Sequence, residues 1–439
     1  MIKIKTTTEK IESKGGLLLV GAIIKSIGIG SIKSSIEKRA GIIITSLLGL
    51  IVEGCGINFE RMGDKRDSLW YKEALNLSVI YSKETVRIYL NKMALDLQNI
   101  IIQLGESAMK IIKKATLTGY WIEKKHYVPV DIDTSVLDNS KTQKEGVSRT
   151  YKRVDGYHPI FAYVGKEGYM LDCELRPGSQ HCQKDTVAFI TTCIEKLSKL
   201  KLGVRFLFRL DSGNDAFETL KVIIANCCYC IIKRNKRKES DEKWLKIAKR
   251  HGKLTRPRKG KKVWIGKINT NPKNKKGEIL KDVYIVFEVT ERKRDSAGQK
   301  LLIPEVEVNS WWTNLNCDAE KVIELYHEHA TSEQFHSELK HDLGVERLPS
   351  GKLAVNKILL GIAMNAYNIL RYLGQLSIIE TKKEKPVKEK RRRLGTIIRE
   401  IICIAGKLVQ HSRSLVFKIY VKDPMLPLFL RLNALLVAT

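Results

Sequence analysis

The stretch YVPVDIDTSVL, residues 127–137, decides how the chain is read. Apolar and polar residues alternate in it and β-branched side chains are frequent, which is the pattern of a strand. Before it the texture is helical. In GLLLVGAIIKSI, GIIITSLLGLIV and ETVRIYLNKMALDLQNIIIQLGESAMKIIKK, apolar residues recur at three- and four-residue spacing. After it come GYHPIFAYVG and GYMLDCELRPG, two strands joined by a tight GKEG turn at 165–168. CQKDTVAFITTCIEKLSKL reads as an amphipathic helix, VRFLFRLDSG as a buried strand, DAFETLKVIIAN as a helix and CYCIIKRN as a strand. Three strands, then helix, strand, helix, strand, make a mixed α/β layered domain.

The remaining chain divides around this domain. Residues 1–120 form a helical N-terminal part. In YSKETVRIYLNKM, Ser82 is placed to cap a short basic helix. Small DNA-binding helical domains look like this, and so do ordinary helical bundles. Residues 121–234 hold the first part of the α/β domain. Residues 235–312, with VWIGKI, DVYIVFEVTE and IPEVEVNSWWTNL, read as a β-rich insertion. Residues 313–375 resume the domain, and 376–439 carry a basic linker and a helical C-terminal part. The linker, KKEKPVKEKRRR, has eight basic residues in twelve.

With 439 residues, 43% of them hydrophobic, the chain can bury a sizeable core. Its 78 basic and 48 acidic residues give a formal net charge of +30. That imbalance suits a polyanion, nucleic acid first and an anionic membrane surface as the competitor. Between Lys233 and Lys262, 15 of 30 residues are basic and three are acidic, a run suited to DNA backbone contact that includes Lys261 and Lys262. Trp244, Trp264 and Trp311 lie in the insertion, the first two in the basic run or just past it, either as strand packing or as platforms for an unpaired base. The longest apolar stretch, at 40–52, has 13 residues, short of the ~18–20 that span a bilayer. Together with an N-terminus that leads into no signal-type apolar region, it points to a cytoplasmic protein without a membrane partner. Nine cysteines, three of them in NCCYC, read as buried thiols. No GxxxxGK[ST] loop is present, so ATP is not implied.

Three places along the chain set acids where they suit chemistry. Asp131 and Asp133 fall on the same face of a strand of period two. Asp211 ends the apolar strand RFLFRLD, where α/β sheets expose their reactive groups. Glu333 lies in YHEHATSEQFHSELK (326–340), a helical stretch in which Tyr326, His329, Glu333 and Lys340 share a face at offsets of 3, 7 and 14. Carboxylates from two strands and a later helix can converge on hard cations such as Mg²⁺. Two such ions can stabilise both the attacking and the leaving oxygen of a phosphodiester, so no nucleophilic side chain is needed.

DIDTS, RLDSG and YHEHATSEQFHSELK resemble the three acidic motifs of DDE transposases of the bacterial insertion-sequence-four group. That group's signature is Y-x2-R-x3-E-x6-K; Tyr326, Glu333 and Lys340 keep its spacing, and His329 stands where the arginine belongs. GYHPIFAYVG, LRPGSQH and DLGVERLPSGKLAVNKILLGIAMNAYNILR are similar to the family's flanking segments, so the likeness runs from about residue 131 to 371. It implies an RNase H-like catalytic domain with a β-rich insertion. It also implies catalytic acids and metal ligands at Asp133, Asp211 and Glu333, with Asp131 the alternative to Asp133. Two Mg²⁺ ions, or Mn²⁺, would be the cofactors. Tyr326, His329, Lys340 and Arg209 would contact DNA. The partners would be double-stranded DNA, namely terminal inverted repeats and target DNA, and a second copy of the chain in a paired-end homodimer. The activity expected is metal-dependent strand cleavage and strand transfer. The alternatives are an RNase H-like nuclease that cuts without joining, and a catalytically degenerate relative that only binds DNA.

Overall fold

Helical spacing in the first quarter of the chain produces α1 (Leu17–Ile27), α2 (Ala40–Val52), α3 (Leu69–Ala74), α4 (Lys83–Met93) and α5 (Leu97–Lys114). Ser82 caps α4 as expected, accepting from the Thr85 N–H. The computed structural model describes residues 10–295, 297–383, 391–411 and 414–437.

At residue 120 the chain turns to sheet, the short strand Tyr120–Ile122 pairing antiparallel with the one that follows it. The domain is built on β1 (Lys125–Thr134), β2 (Ile160–Val164), β3 (Tyr169–Glu174), β4 (Arg205–Leu210) and β5 (Tyr229–Lys233). They lie in the order β3-β2-β1-β4-β5. The first three form an antiparallel meander, while β4 runs parallel to β1 and β5 parallel to β4. Helices α6 (Thr186–Leu200) and α7 (Phe217–Ala225) precede and follow β4, supplying the crossovers that parallel strands require. This is the RNase H-like arrangement.

Period two in β1 and β4 separates the two faces of the sheet. Val128, Val130 and Ile132 of β1, with Phe208 and Leu210 of β4, enter the main core. Tyr127 and Leu207 point the other way, into a smaller core closed by Val322, Ile323 and Leu325 of α9 (Ala319–His327). Asp131, Asp133 and Arg209 share the parity of that second face, so α9 and the segment after it roof the acids.

The main core is completed by α11 (Leu353–Lys382), thirty residues long and apolar on nearly all sides. Its length and composition would let it cross a membrane, yet 83% of its most apolar window is buried inside the protein. It packs on α2, α5 and β3. Asn368 is fully buried on α11 and accepts from the Met170 N–H while donating to the Met170 carbonyl, both at 2.8 Å. It thereby satisfies backbone groups of β3, the edge strand of the meander. The N-terminal helices belong to this same core.

The insertion carries α8 (Asp241–His251), then β6 (Gly252–Arg258), β7 (Lys261–Asn269), β8 (Tyr284–Arg294) and β9 (Lys300–Thr313). β9 pairs antiparallel with β5, so the insertion extends the sheet of the α/β domain. α8 departs from a purely β reading. Ser240 accepts from the Lys243 N–H, Asp241 and Glu242 open the first turn, and Lys249, Arg250 and His251 close the last. Capping and charge–dipole complementarity hold a helix in a segment dense in like charge.

The C-terminal part also differs from expectation. It is not only helical: Gly406–His411 and Ser414–Ile419 pair, and Ile11–Glu12 adds to them, tying the two ends of the described chain together. Most of the expected linker, 384–390, lies outside the described residues. Its last three arginines are anchored. Arg391 reaches Glu338 and Gln334, and Arg393 forks onto Asp342 at 2.9–3.2 Å.

Candidate active site

The register of β1 against β4 sets the site. Asp131 is the partner of Arg209 and Ile132 of Leu210, so Asp211, one residue beyond β4, comes level with Asp133. Both acids stand at the carboxyl ends of parallel strands.

Asp131 is enclosed. Arg209 forks onto it with two bonds of 2.7 Å, and His329 Nδ1 donates to it at 2.8 Å. Arg209 also donates to the Leu325 carbonyl at 2.7 Å and to the Tyr120 hydroxyl at 3.2 Å. Burial alone would raise the Asp131 carboxyl, but Arg209 and His329 outweigh it and hold it below the usual range. This network docks the segment after α9 onto the sheet.

Asp133, two residues further, lines a cleft of about 800 Å³. Asp211 and Glu333 line the same cleft, with Tyr326, His329 and Lys340. The shared face of residues 326–340 therefore survives, though the helix is irregular. A 3₁₀ turn at Glu328–Ala330 and a π turn at Glu338–Asp342 flank α10 (Thr331–Ser337), which carries Glu333. The π turn is braced from behind: Glu338, almost fully buried, receives Arg371 at 2.5 Å and Arg391.

Burial raises the Asp133 carboxyl to about 6; the nearby Asp211 and Glu333 carboxylates push the same way, and His329 opposes them. Asp133 accepts from the Thr134 N–H at 2.7 Å and from Ser332 Oγ at 3.5 Å. Asp211 accepts from Asn214 Nδ2 at 2.7 Å. Lys340 donates to the Val136 carbonyl at 2.6 Å, and burial lowers its ammonium pKa. Burial raises the Tyr326 phenol, with Asp211 and Asp133 adding to it. Both side chains stay neutral or cationic beside the acids, as phosphate contacts must.

Several expectations change. Arg209, expected at phosphate, is 2% exposed and spends its donors inside the fold. His329, expected at DNA, is nine-tenths buried and holds Asp131. Trp264, expected at DNA, is buried with Trp244, Ile285 and Phe287 in a core private to the insertion. Lys261 and Lys262 do lie in a basic hollow with Arg256, Arg258 and Lys293. Sequence reasoning weighed His336 only as a zinc ligand, with His329 and His341, and gave it no place in the acid site; its ring is buried in the cleft wall and held neutral, its pKa pushed down to about 3 by burial and neighbouring cations. Sequence reasoning passed over Tyr151 and Lys152 at the cleft mouth. The available signal was RTYKR, an aromatic ring between basic residues. The nine cysteines are all free thiols.

Divalent ions are what the likeness to transposases implies, and the donor set suits them. Three carboxylates face one cleft, and one of them is pushed towards its neutral form by burial, with the others' charge adding to it. Among the described residues, no three His, Cys, Asp or Glu side chains cluster tightly enough to enclose one ion. Ions that keep their waters and take one or two carboxylates each do not require such an enclosure.

Similarity extends to a solved structure, a piggyBac transposase synaptic complex with hairpin DNA. Identity is 11% and the TM-score 0.43, over 88% of this chain and 76% of that one. No curated protein matches the sequence. The family model described as Transposase DDE domain group 1 matches residues 103–438. That span covers most of the chain and contains all three acids of the cleft, and the chain belongs to this family of transposase DDE domains.

Proposed function

We propose that the chain is an insertion-sequence transposase of the bacterial insertion-sequence-four type, which cleaves DNA at the ends of its element and joins the freed 3′ ends to target DNA. The observation that carries this reading is the meeting of Asp133, Asp211 and Glu333 in one cleft from a strand, a strand end and a later helix. Asp133 and Asp211 would share two Mg²⁺ or Mn²⁺ ions, and Glu333 would complete the second. When bound, such ions supply positive charge at the attacking and leaving oxygens of an in-line displacement. The chain's own part is to hold the carboxylates at fixed positions, through the Asp131–Arg209–His329 network beneath them and the Glu338 brace behind. Lys340 and Tyr326 would orient the phosphate from the opposite wall. Two DNA ends would be held by a homodimer, with the excess of positive charge binding the duplex backbone.

The test uses the full chain and a plasmid bearing the repeats that flank its gene. With Mg²⁺, wild type should nick the repeat ends and give joined products. Asp211→Asn and Glu333→Gln should bind the same DNA and do neither. Nicking without joined products would leave a nuclease. Binding without nicking in either Mg²⁺ or Mn²⁺ would leave a DNA-binding relative and end the enzymatic reading.

A further inference from the structure

Beside the cleft stands a hairpin tip that the three acids do not account for. Ser148–Arg149 pairs with Asp155–Tyr157, and Leu137–Asp138, just beyond Asp133, pairs with the same strand. The tip between them is tightly closed. Thr150 donates to the Val154 carbonyl through its N–H at 2.9 Å and its hydroxyl at 2.8 Å, and the Arg153 N–H donates to the Thr150 carbonyl at 3.0 Å. Arg153 takes a left-handed φ of 61° to make the turn.

This closed tip presents Tyr151, 63% exposed, as a wall of the cleft that holds Asp133, Asp211 and Glu333. The ring leans on the buried ring of His158, centroids 5.1 Å apart, while Lys152 lies 5.8 Å from its centre. Partial burial disfavours the phenolate, and the nearby Asp133 and Asp211 add to it. Four other rings of the domain's strands, Tyr157, Tyr163, Tyr169 and Phe161, are fully enclosed, whereas Tyr151 and, away from the cleft lining, Trp121 are exposed. A ring kept outside, on a preorganised turn, with Lys152 beside it in the cleft wall and Arg153 next in the turn, has the makeup of a stacking platform with phosphate holders at hand. A nucleotide is the occupant whose chemistry fits, because one unit offers a flat π face and an anionic link at that spacing. It must be unstacked, because a base inside a duplex has no free face to offer.

We propose that Tyr151 stacks on an unpaired nucleotide next to the phosphate held at the acid cleft, with Lys152 and Arg153 gripping the backbone on its flank. This rests on the DNA-processing role proposed above.

The probe is a duplex with a short single-stranded 3′ flank containing 2-aminopurine, compared with the same duplex made blunt. Divalent ions are left out, so cleavage plays no part. Wild type should bind the flanked duplex more tightly and quench its emission. Tyr151→Ala should lose the quench and weaken flanked binding by about tenfold, within the range stacking supplies per base, with blunt binding unchanged. Tyr151→Phe should behave as wild type. Lys152→Ala should weaken both duplexes alike and lower the salt dependence. Thermal melts of each variant check the fold. The proposal is overturned if Tyr151→Ala quenches and binds as wild type does, or if Tyr151→Phe fails as alanine does. A wild type that stacks the flank but never cuts DNA removes the proposed function and leaves this site standing. A wild type that binds neither duplex removes both.

Discussion

Asp131 and Asp133 lie two residues apart on one face of β1, and their surroundings differ in every respect that matters. Asp131 is fully buried beneath Arg209 and His329, with each oxygen taken by a charged or ring donor. Asp133 opens on the cleft, takes its bonds from a backbone N–H and a hydroxyl, and shares its space with two further carboxylates. The first is a matched ion pair, whose role is to fix where the roof sits. The second is a charge left without a protein cation, and so has affinity to offer to one from outside. The pair shows that the side-chain period alone does not separate an acid locked in the interior from one open to the cleft; the partner on the neighbouring strand, or 198 residues along the chain, does.

The comparison is most sharply broken from the structural side. Arg209→Met should strand Asp131 in the interior and cost about 3–5 kcal/mol in urea unfolding. Asp211→Asn, by contrast, should leave the unfolding midpoint nearly unchanged. If both variants unfold alike, the division into a locked and an open layer is wrong. Next, Asp211→Asn and Glu333→Gln should each lower the rate of DNA cleavage by about 10³-fold or more, several kcal/mol of transition-state stabilisation. Band-shift affinity for the same DNA should hold.

A subtler difference lies in pH. The folded-state pKa of Asp133, about 6, is above that of an unfolded aspartate. A raised carboxyl contributes stability that is complete at acid pH and lost as pH climbs towards 6. Without divalent ions, roughly 3 kcal/mol at most should disappear over that window, read from melts against pH. Asp131 has a lowered pKa and behaves oppositely, losing its contribution only in stronger acid. Mg²⁺ should restore stability above pH 6 and bind more weakly below it, since the ion competes with a proton. Melts that ignore Mg²⁺ at pH 7.5 would count against Asp133 as a ligand. The smallest effect should come from the rim. Arg393→Ala removes a largely exposed guanidinium from Asp342 and should cost less than about 1 kcal/mol.

Much of the catalytic domain was legible. β1 to β5, the GKEG turn and both crossover helices follow from apolar periodicity, because each buries one face or both against a core. The acids were legible as candidates because two end strands and one sits on a helical face. α8 was hidden by its charge, since a basic run masks the three-to-four spacing of Trp244, Leu245 and Ala248, although Ser240 and the acids after it were a readable start. β6 was hidden in the same run, its residues nearly all exposed and one of them Pro257. The C-terminal hairpin was missed because its pairing with residues 11–12 is a contact between opposite ends of the chain.

The sequence by itself determined the class of fold, the order of strands and helices, and the three carboxylates worth watching, because periodicity and strand ends are local facts. Only the tertiary structure decided which aspartate is free, that Arg209 and His329 serve the interior, that Trp264 is core, and that Tyr151 stands at the cleft. The physical reason is that a charge's role depends on what lies within a few ångströms of it. For Asp131 those neighbours come from positions 209 and 329, brought together by the register of β4 and the docking of the segment after α9.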